Sequence, residues 1–292
     1  MNAIASKVFA PRPVLRGYEQ TVLLFFLLLA AVGFWRSIRF SGEAAFLLLP
    51  APVWWLCRME EQRPAAWARI LREWLSLASI PIAYWSLELF ARPGLAVALQ
   101  DSWVTWDRWL LYQAGLSAAI QSLGPAIPVL LETAYLLLYA IPPISLGILY
   151  AAGERRNAHR LLEVLFLGTL TAYALILVIP TDSPRLVFAG LDLPPYNGFP
   201  RSLNVWLLDH LDISTSVFPS GHVAVAFSCA FGMLRAVPAR PRLWIPILIT
   251  ACLVFIATIY GRYHYAVDGA ASILIAALAW RLADKIWRYD AA

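Results

Sequence analysis

The chain has 292 residues, 61% of them hydrophobic and only 14% charged. Soluble domains carry about 45–50% apolar and about 25% charged residues, so an ordinary soluble protein and a disordered one are both excluded. The net charge of +5 comes from scattered arginines between apolar runs, with no basic stripe of the kind that binds nucleic acid.

A spanning helix needs about 20 mostly apolar residues. In chain order, such runs fall near 20–36, 43–57, 70–90, 126–151, 160–180, 220–237, 243–261 and 266–283. Trp35-Arg36 follows the first run in place of a small-residue cleavage site, so that run reads as an uncleaved span. The second run is short and contains Pro50 and Pro52. Segment 103–122 mixes Trp103, Trp106, Asp107, Arg108, Trp109 and Tyr112, and reads as an amphipathic helix in the headgroup layer. Cys57, Cys229 and Cys252 sit inside apolar runs and fit neither a disulfide framework nor a zinc site.

Charge decides the count of spans. With eight spans and both termini inside, sixteen of the 23 Lys and Arg residues fall on inner segments. These include Arg16, Arg69, Arg72, Arg155, Arg156, Arg235 and Arg240. The outer segments hold seven: Arg36, Arg39, Arg92, Arg108, Arg185, Arg201 and Arg262. This positive-inside pattern supports counting 43–57 as a span. The expected fold is an all-α polytopic membrane helix bundle of about eight spans, in a plasma (inner) membrane with both termini cytoplasmic.

The longest outer connection is 181–218, and loops of that length are uncommon unless functional. Within it, Leu203, Trp206, Leu207 and Leu211 recur at helical spacing, which predicts a short surface helix over 201–211. Three polar motifs lie at outer ends of spans. Phe218-Pro219-Ser220-Gly221-His222 is a helix start, with Ser220 as N-cap. The free N–H groups of such a first turn attract anions, and Gly221 lets an anion approach the backbone. In Arg262-Tyr263-His264-Tyr265-Ala266-Val267-Asp268, His264 and Asp268 are four apart and share a helix face. A carboxylate there accepts the Nδ1–H and leaves Nε2 free to act as nucleophile or base. In Pro180-Thr181-Asp182-Ser183-Pro184-Arg185, Arg185 is able to grip a phosphate. Two histidines, an anion-binding helix start and an arginine on one membrane side suit phosphoryl transfer. Two histidines and an aspartate also match a zinc site, but no close histidine pair such as HxxxH supports it. His159 and His210 lie outside these motifs. Glu132, inside the fourth run, either lines the substrate cavity or makes a structural hydrogen bond.

At these residues the chain resembles the type-2 phosphatidic acid phosphatase (PAP2) superfamily. The resemblance covers about 67–287, a six-span core. It divides the chain into two extra N-terminal spans, 1–66, and a catalytic core, 67–292. The family's PSGH motif is matched by Pro219, Ser220, Gly221 and His222, and its final His and Asp by His264 and Asp268. The resemblance implies that His264 is a nucleophile forming a phosphohistidine, that Asp268 orients it, and that His222 protonates the leaving group and then activates the acceptor. It implies that Ser220 and Gly221 hold phosphate oxygens, and that no metal or other cofactor takes part. Two of the family's cations are missing: Val178 and Thr258 stand at their places, with Arg262 as a possible replacement beside Arg185. Tyr263-His264-Tyr265 and Asp107-Arg108-Trp109-Leu110 are similar to the inositolphosphotransferase branch, which includes inositol phosphorylceramide synthase.

The expectation is therefore a membrane enzyme acting on a lipid substrate within the bilayer, with its site on the outer or periplasmic side. Asp182 and Glu132 are candidates for the cavity wall. The acceptor is a lipid alcohol or water, and the motifs do not choose between them. A non-catalytic transporter or lipid-binding protein with a decayed site is the competing reading, motivated by Val178 and Thr258.

Overall fold

A computed structural model describes residues 15–35, 50–62, 66–90, 97–188, 193–213 and 217–286. The described residues are mostly helical and contain no strand. The chain begins with α1 (Gly17–Trp35), α2 (Pro50–Gln62) and α3 (Ala66–Ser86). Next come α4 (Val97–Arg108), a π-turn over 109–113 and α5 (Leu116–Ser122). The helix α6 (Ala126–Leu137) continues through a 3₁₀ turn into α7 (Ile141–Ala151). Then follow α8 (Ala158–Ile176), the short α9 (Pro184–Val187) and α10 (Phe199–Leu211). The chain ends with α11 (Gly221–Ala236), α12 (Pro241–Tyr260) and α13 (Ala266–Ile286).

Among the described residues, five stretches are long and apolar enough to cross a membrane: 17–35, 126–151, 155–176, 241–260 and 266–286. The fold is the expected all-α polytopic bundle. Two further predicted spans take a different form. α3 has 21 residues but carries Arg69, Arg72 and Glu73 in its first half, which lowers its hydropathy. α11 has only 16, and it packs at the centre of the bundle between α8, α12 and α13. Its sequence, rich in Gly, Ala, Ser and Cys, fits that place. A Cβ on Gly232 would sit 2.7 Å from the Leu161 carbonyl oxygen, so α8 and α11 touch through their backbones. The described part of the second predicted span, residues 50–57, falls in α2. The 13 residues of α2 rise about 20 Å, and residues 36–49 of that region lie outside the described set. So do Lys7, Arg12, Arg36, Arg39, Arg63, Arg92 and Arg288 of the charge count.

The bundle has two chemically distinct ends. At one, Arg72 grips Glu19 through Nε (2.8 Å) and Nη2 (2.5 Å), and Arg235 reaches Glu163 (3.4 Å) and Asp284 (2.5 Å). Arg240 pairs with Glu154 at 2.9 Å there. These are segments that the charge pattern places together. The other end carries the three motifs. There α10 is the predicted surface helix, and α4 exposes Trp106 while burying Asp107.

Candidate active site

Two helix starts are fastened together at this end. Ser220 caps α11, its Oγ accepting the Val223 N–H at 3.3 Å. The Ser220 N–H donates to the Asp268 carbonyl at 3.1 Å, and the Ser272 hydroxyl bridges the Ser220 and Asp268 carbonyls at 2.8 and 2.9 Å. After α12 the chain folds back, with Tyr263 and His264 N–H groups both donating to the Thr258 carbonyl. Arg262 takes a left-handed conformation (φ 64°) in this turn. His264 is thereby swung toward α11, and its Nε2 lies 3.2 Å from Nδ1 of His222. One ring supplies the proton of this bond and the other the lone pair.

Both rings are buried. Burial drives the His264 pKa down to about 4; Arg185 adds to this, while Asp212 and the Val217 carbonyl oppose it. His264 is thus neutral at ordinary pH, as a nucleophile requires. His222 stands among the rings of Tyr84, Tyr135 and Tyr139.

Asp268 is adjacent but differently engaged than the sequence predicts. Its Oδ2 lies 3.5 Å from His264 Nδ1, beyond ordinary hydrogen-bond length. The same oxygen accepts the Tyr265 N–H at 2.9 Å. A carboxylate at the third position of a helix reaches back to the residue before it, which is the return bond of a capping box. Asp268 therefore fastens the start of α13 and stands within ion-pair reach of His264.

Arg185 joins the histidines, lining with them a small pocket that also includes Asp212, Tyr135 and Tyr263. It donates to Asp209 at 2.7 Å and to Asp212 at 3.4 Å. Tyr84 donates to the other oxygen of Asp212 in a short hydrogen bond. Sequence reasoning missed Asp212 and Tyr84. They are 128 residues apart, on the end of α10 and on α3, and neither sits in a motif.

Beside this pocket opens a cavity of about 400 Å³. Its walls are apolar, including Leu77, Pro81, Leu138, Pro142 and Val225, and its polar end is His222 and Asp212. Gly221 belongs to the same wall, and a Cβ there would meet the Tyr173 ring at 2.9 Å. This close approach accounts for the glycine in addition to any anion.

Three predicted residues lie elsewhere. Arg262 is held by a buried ion pair with Asp107, whose other oxygen accepts the Ala266 N–H at 3.1 Å. It helps to cap α13 and lines neither cavity. Glu132 also lines neither. It accepts from Arg201 (3.1 Å), Asn204 (2.8 Å) and Tyr263 (2.6 Å), contacts that tie α10 to α6. Asp182 meets Gln100 through its backbone N–H and is not part of either cavity wall. Of the two positions lacking the family's cations, Val178 is 70% exposed on the bundle exterior and Thr258 is buried. Among the described residues no three His, Cys, Asp or Glu side chains are grouped as metal ligands.

A helix bundle with paired histidines at a capped helix start and an apolar cavity beside them defines a class of membrane protein, and comparison gives its family. A family model of the PAP2 superfamily matches residues 102–282, so the chain belongs to that superfamily. The match begins within α4 and leaves α1–α3 outside it. A PA-phosphatase related-family protein of Dictyostelium discoideum is 34% identical over 107 residues, 35% of this chain and 19% of that protein. The chain thus matches about a fifth of that relative's length. No solved structure matches.

Proposed function

We propose that this protein is a lipid phosphatase or phosphotransferase working through a phosphohistidine on His264. The observation that carries this reading is the 3.2 Å contact of His222 and His264 beside Arg185, at the polar end of an apolar cavity. The lipid chain lies in the cavity and the phosphoryl group enters between the rings, which must separate to admit it. Nε2 of His264 attacks phosphorus, and a P–N bond forms as the P–O bond to the leaving group breaks. His222 gives its proton to the departing oxygen. It then takes the proton of the incoming water or lipid alcohol as that oxygen attacks phosphorus and the P–N bond breaks. Arg185 and the first-turn N–H groups of α11 balance the phosphoryl charge. Asp268 holds His264 in place. Arg262 acts through Asp107 on the start of α13.

Residues 67–292 form the catalytic unit in this proposal, and 1–66 are an addition to it. The histidines face the outer or periplasmic side of a plasma (inner) membrane, with the arginine-rich end inside. Transfer to a lipid alcohol is the preferred form, on the similarity of Tyr263-His264-Tyr265 and Asp107-Arg108-Trp109-Leu110 to the inositolphosphotransferase branch. Purified protein is incubated with headgroup-labelled phospholipid, with and without a lipid alcohol. Labelled acceptor is expected; free headgroup phosphate that ignores the acceptor sinks the transfer form in favour of hydrolysis.

One observation favours a second reading, a transporter or lipid-binding protein with a decayed site: among the described residues, Arg185 is the single arginine lining the pocket with the histidines. Vanadate, which mimics the phosphoryl transition state, separates the two. No vanadate binding together with no turnover of any phospholipid selects the decayed site.

A further inference from the structure

The end of the bundle opposite the histidines contains a second cavity, of about 580 Å³. Its walls are Arg16 before α1, Arg69 and Glu73 of α3, Gly153, Arg155 and Arg156 of the α7–α8 connection, and His159 of α8. That is within the usual size range for small-ligand sites, about 300–1,000 Å³.

Among the described residues the charge there is shared unevenly. Glu73 is shared by Arg16 (3.1 Å), Arg155 (3.6 Å) and the Tyr150 hydroxyl. Glu60 is shared by Arg16 (3.5 Å), Arg69 (3.5 Å) and Arg72. Glu19 is taken by Arg72. Among the described residues, Arg16, Arg69, Arg72 and Arg155 share these three glutamates, and Arg156 lines the cavity beside them. Arg156 forms no ion pair among the described residues. A positive-inside bias needs arginines on this side, but it does not need four of them, from three separate segments, around one concavity.

We propose that this cavity is a second, non-catalytic binding site for a phosphate-bearing anion. Guanidinium groups match phosphate oxygens in pairs, and several converging ones favour an anion of more than one charge over a lone carboxylate. Basic pockets between membrane helices on the cytoplasmic side are suited to anionic headgroups. A lipid headgroup and a soluble phosphate compound share this chemistry.

The test uses full-length Arg185→Ala protein in phosphatidylcholine nanodiscs, which removes the phosphate grip at the histidine end. It is titrated separately with inorganic pyrophosphate and with short-chain phosphatidic acid. Binding of pyrophosphate supports the site and a soluble ligand. Binding of phosphatidic acid without pyrophosphate supports the site and a lipid headgroup. In either case Arg156→Glu, added to that background, weakens binding by about tenfold, with Arg69→Gln as the second variant. Neither probe binding, or binding that ignores both variants, overturns the proposal. The result is independent of whether the histidines turn over a substrate.

Discussion

Nδ1 of His222 and Nε2 of His264 lie 3.2 Å apart, one ring donating and the other accepting. If His264 is the nucleophile and His222 the acid, their losses differ. His264→Ala leaves no turnover, whereas His222→Ala retains a residue of it, lower by about 10²–10⁴-fold. Phospholipid turnover assays on purified, folded variants read this. Full activity in His264→Ala ends the mechanism.

The burial of His264 sets a pH dependence. Its pKa falls from 6.5 to about 4, so it stays neutral where a solvated imidazole would be protonated. The acid limb attributable to this group is expected near pH 4, with activity retained at pH 5. Stability follows the same group. Between pH 6.5 and 4 the unfolded chain binds a proton that the folded one does not, so stability drops as pH falls through that window. A rate profile against pH, with unfolding followed in parallel, separates the two; an acid limb at the ordinary imidazole value contradicts the buried neutral ring.

Asp268 has two possible duties, and two substitutions part them. Its Oδ2 accepts the Tyr265 N–H at 2.9 Å and stands 3.5 Å from His264 Nδ1. Asparagine keeps an oxygen for the cap but removes the charge. Asp268→Asn is expected to fold normally with a lowered rate. Asp268→Ala loses the cap as well, costing about 1 kcal/mol of stability. A wild-type rate in Asp268→Asn shows that the carboxylate only caps.

How far these contacts are legible in the sequence depends on their range. Ser220 is recognisable as an N-cap because capping is settled within four residues, and the structure gives it the Val223 N–H. The spans are legible because bilayer thickness imposes their length. The departures arise from contacts between distant segments. Arg262 resembles a phosphate cation in its motif until α4 brings Asp107 to it from 155 residues away. Asp212 carries no local signature, and only the docking of α10 against α3 gives it Tyr84 and a place beside the histidines. Burial hides the role of Asp268 in the same way, since the i, i+4 spacing permits a histidine contact and does not exclude a competing backbone donor.

Glu132 tests whether a buried carboxylate here is structural. It holds Arg201, Asn204 and Tyr263 together under α10. Glu132→Gln leaves the Arg201 charge, itself buried, without its counter-charge. Removing one partner of a buried pair costs about 3–5 kcal/mol. A marked fall in thermal stability is expected, with substrate preference unchanged in the folded fraction. Normal stability with an altered headgroup preference would return Glu132 to the substrate cavity.

The apolar cavity makes a prediction that depends on substrate length. Val225 lines it one turn along α11 from Gly221, facing Pro81, Leu138 and Pro142. Val225→Trp fills much of the space while leaving His222, His264 and Arg185 unaltered. If the cavity receives a lipid chain, KM for a long-chain phospholipid rises, by about tenfold for each 1.4 kcal/mol of lost chain binding. A short-chain or chromogenic phosphate ester, which does not reach the cavity, keeps its kcat and KM. The comparison is made within one variant, so a general loss of folding lowers both substrates together and is recognised as such. Equal kinetics for long and short substrates in folded Val225→Trp would remove the cavity from the path of the chain.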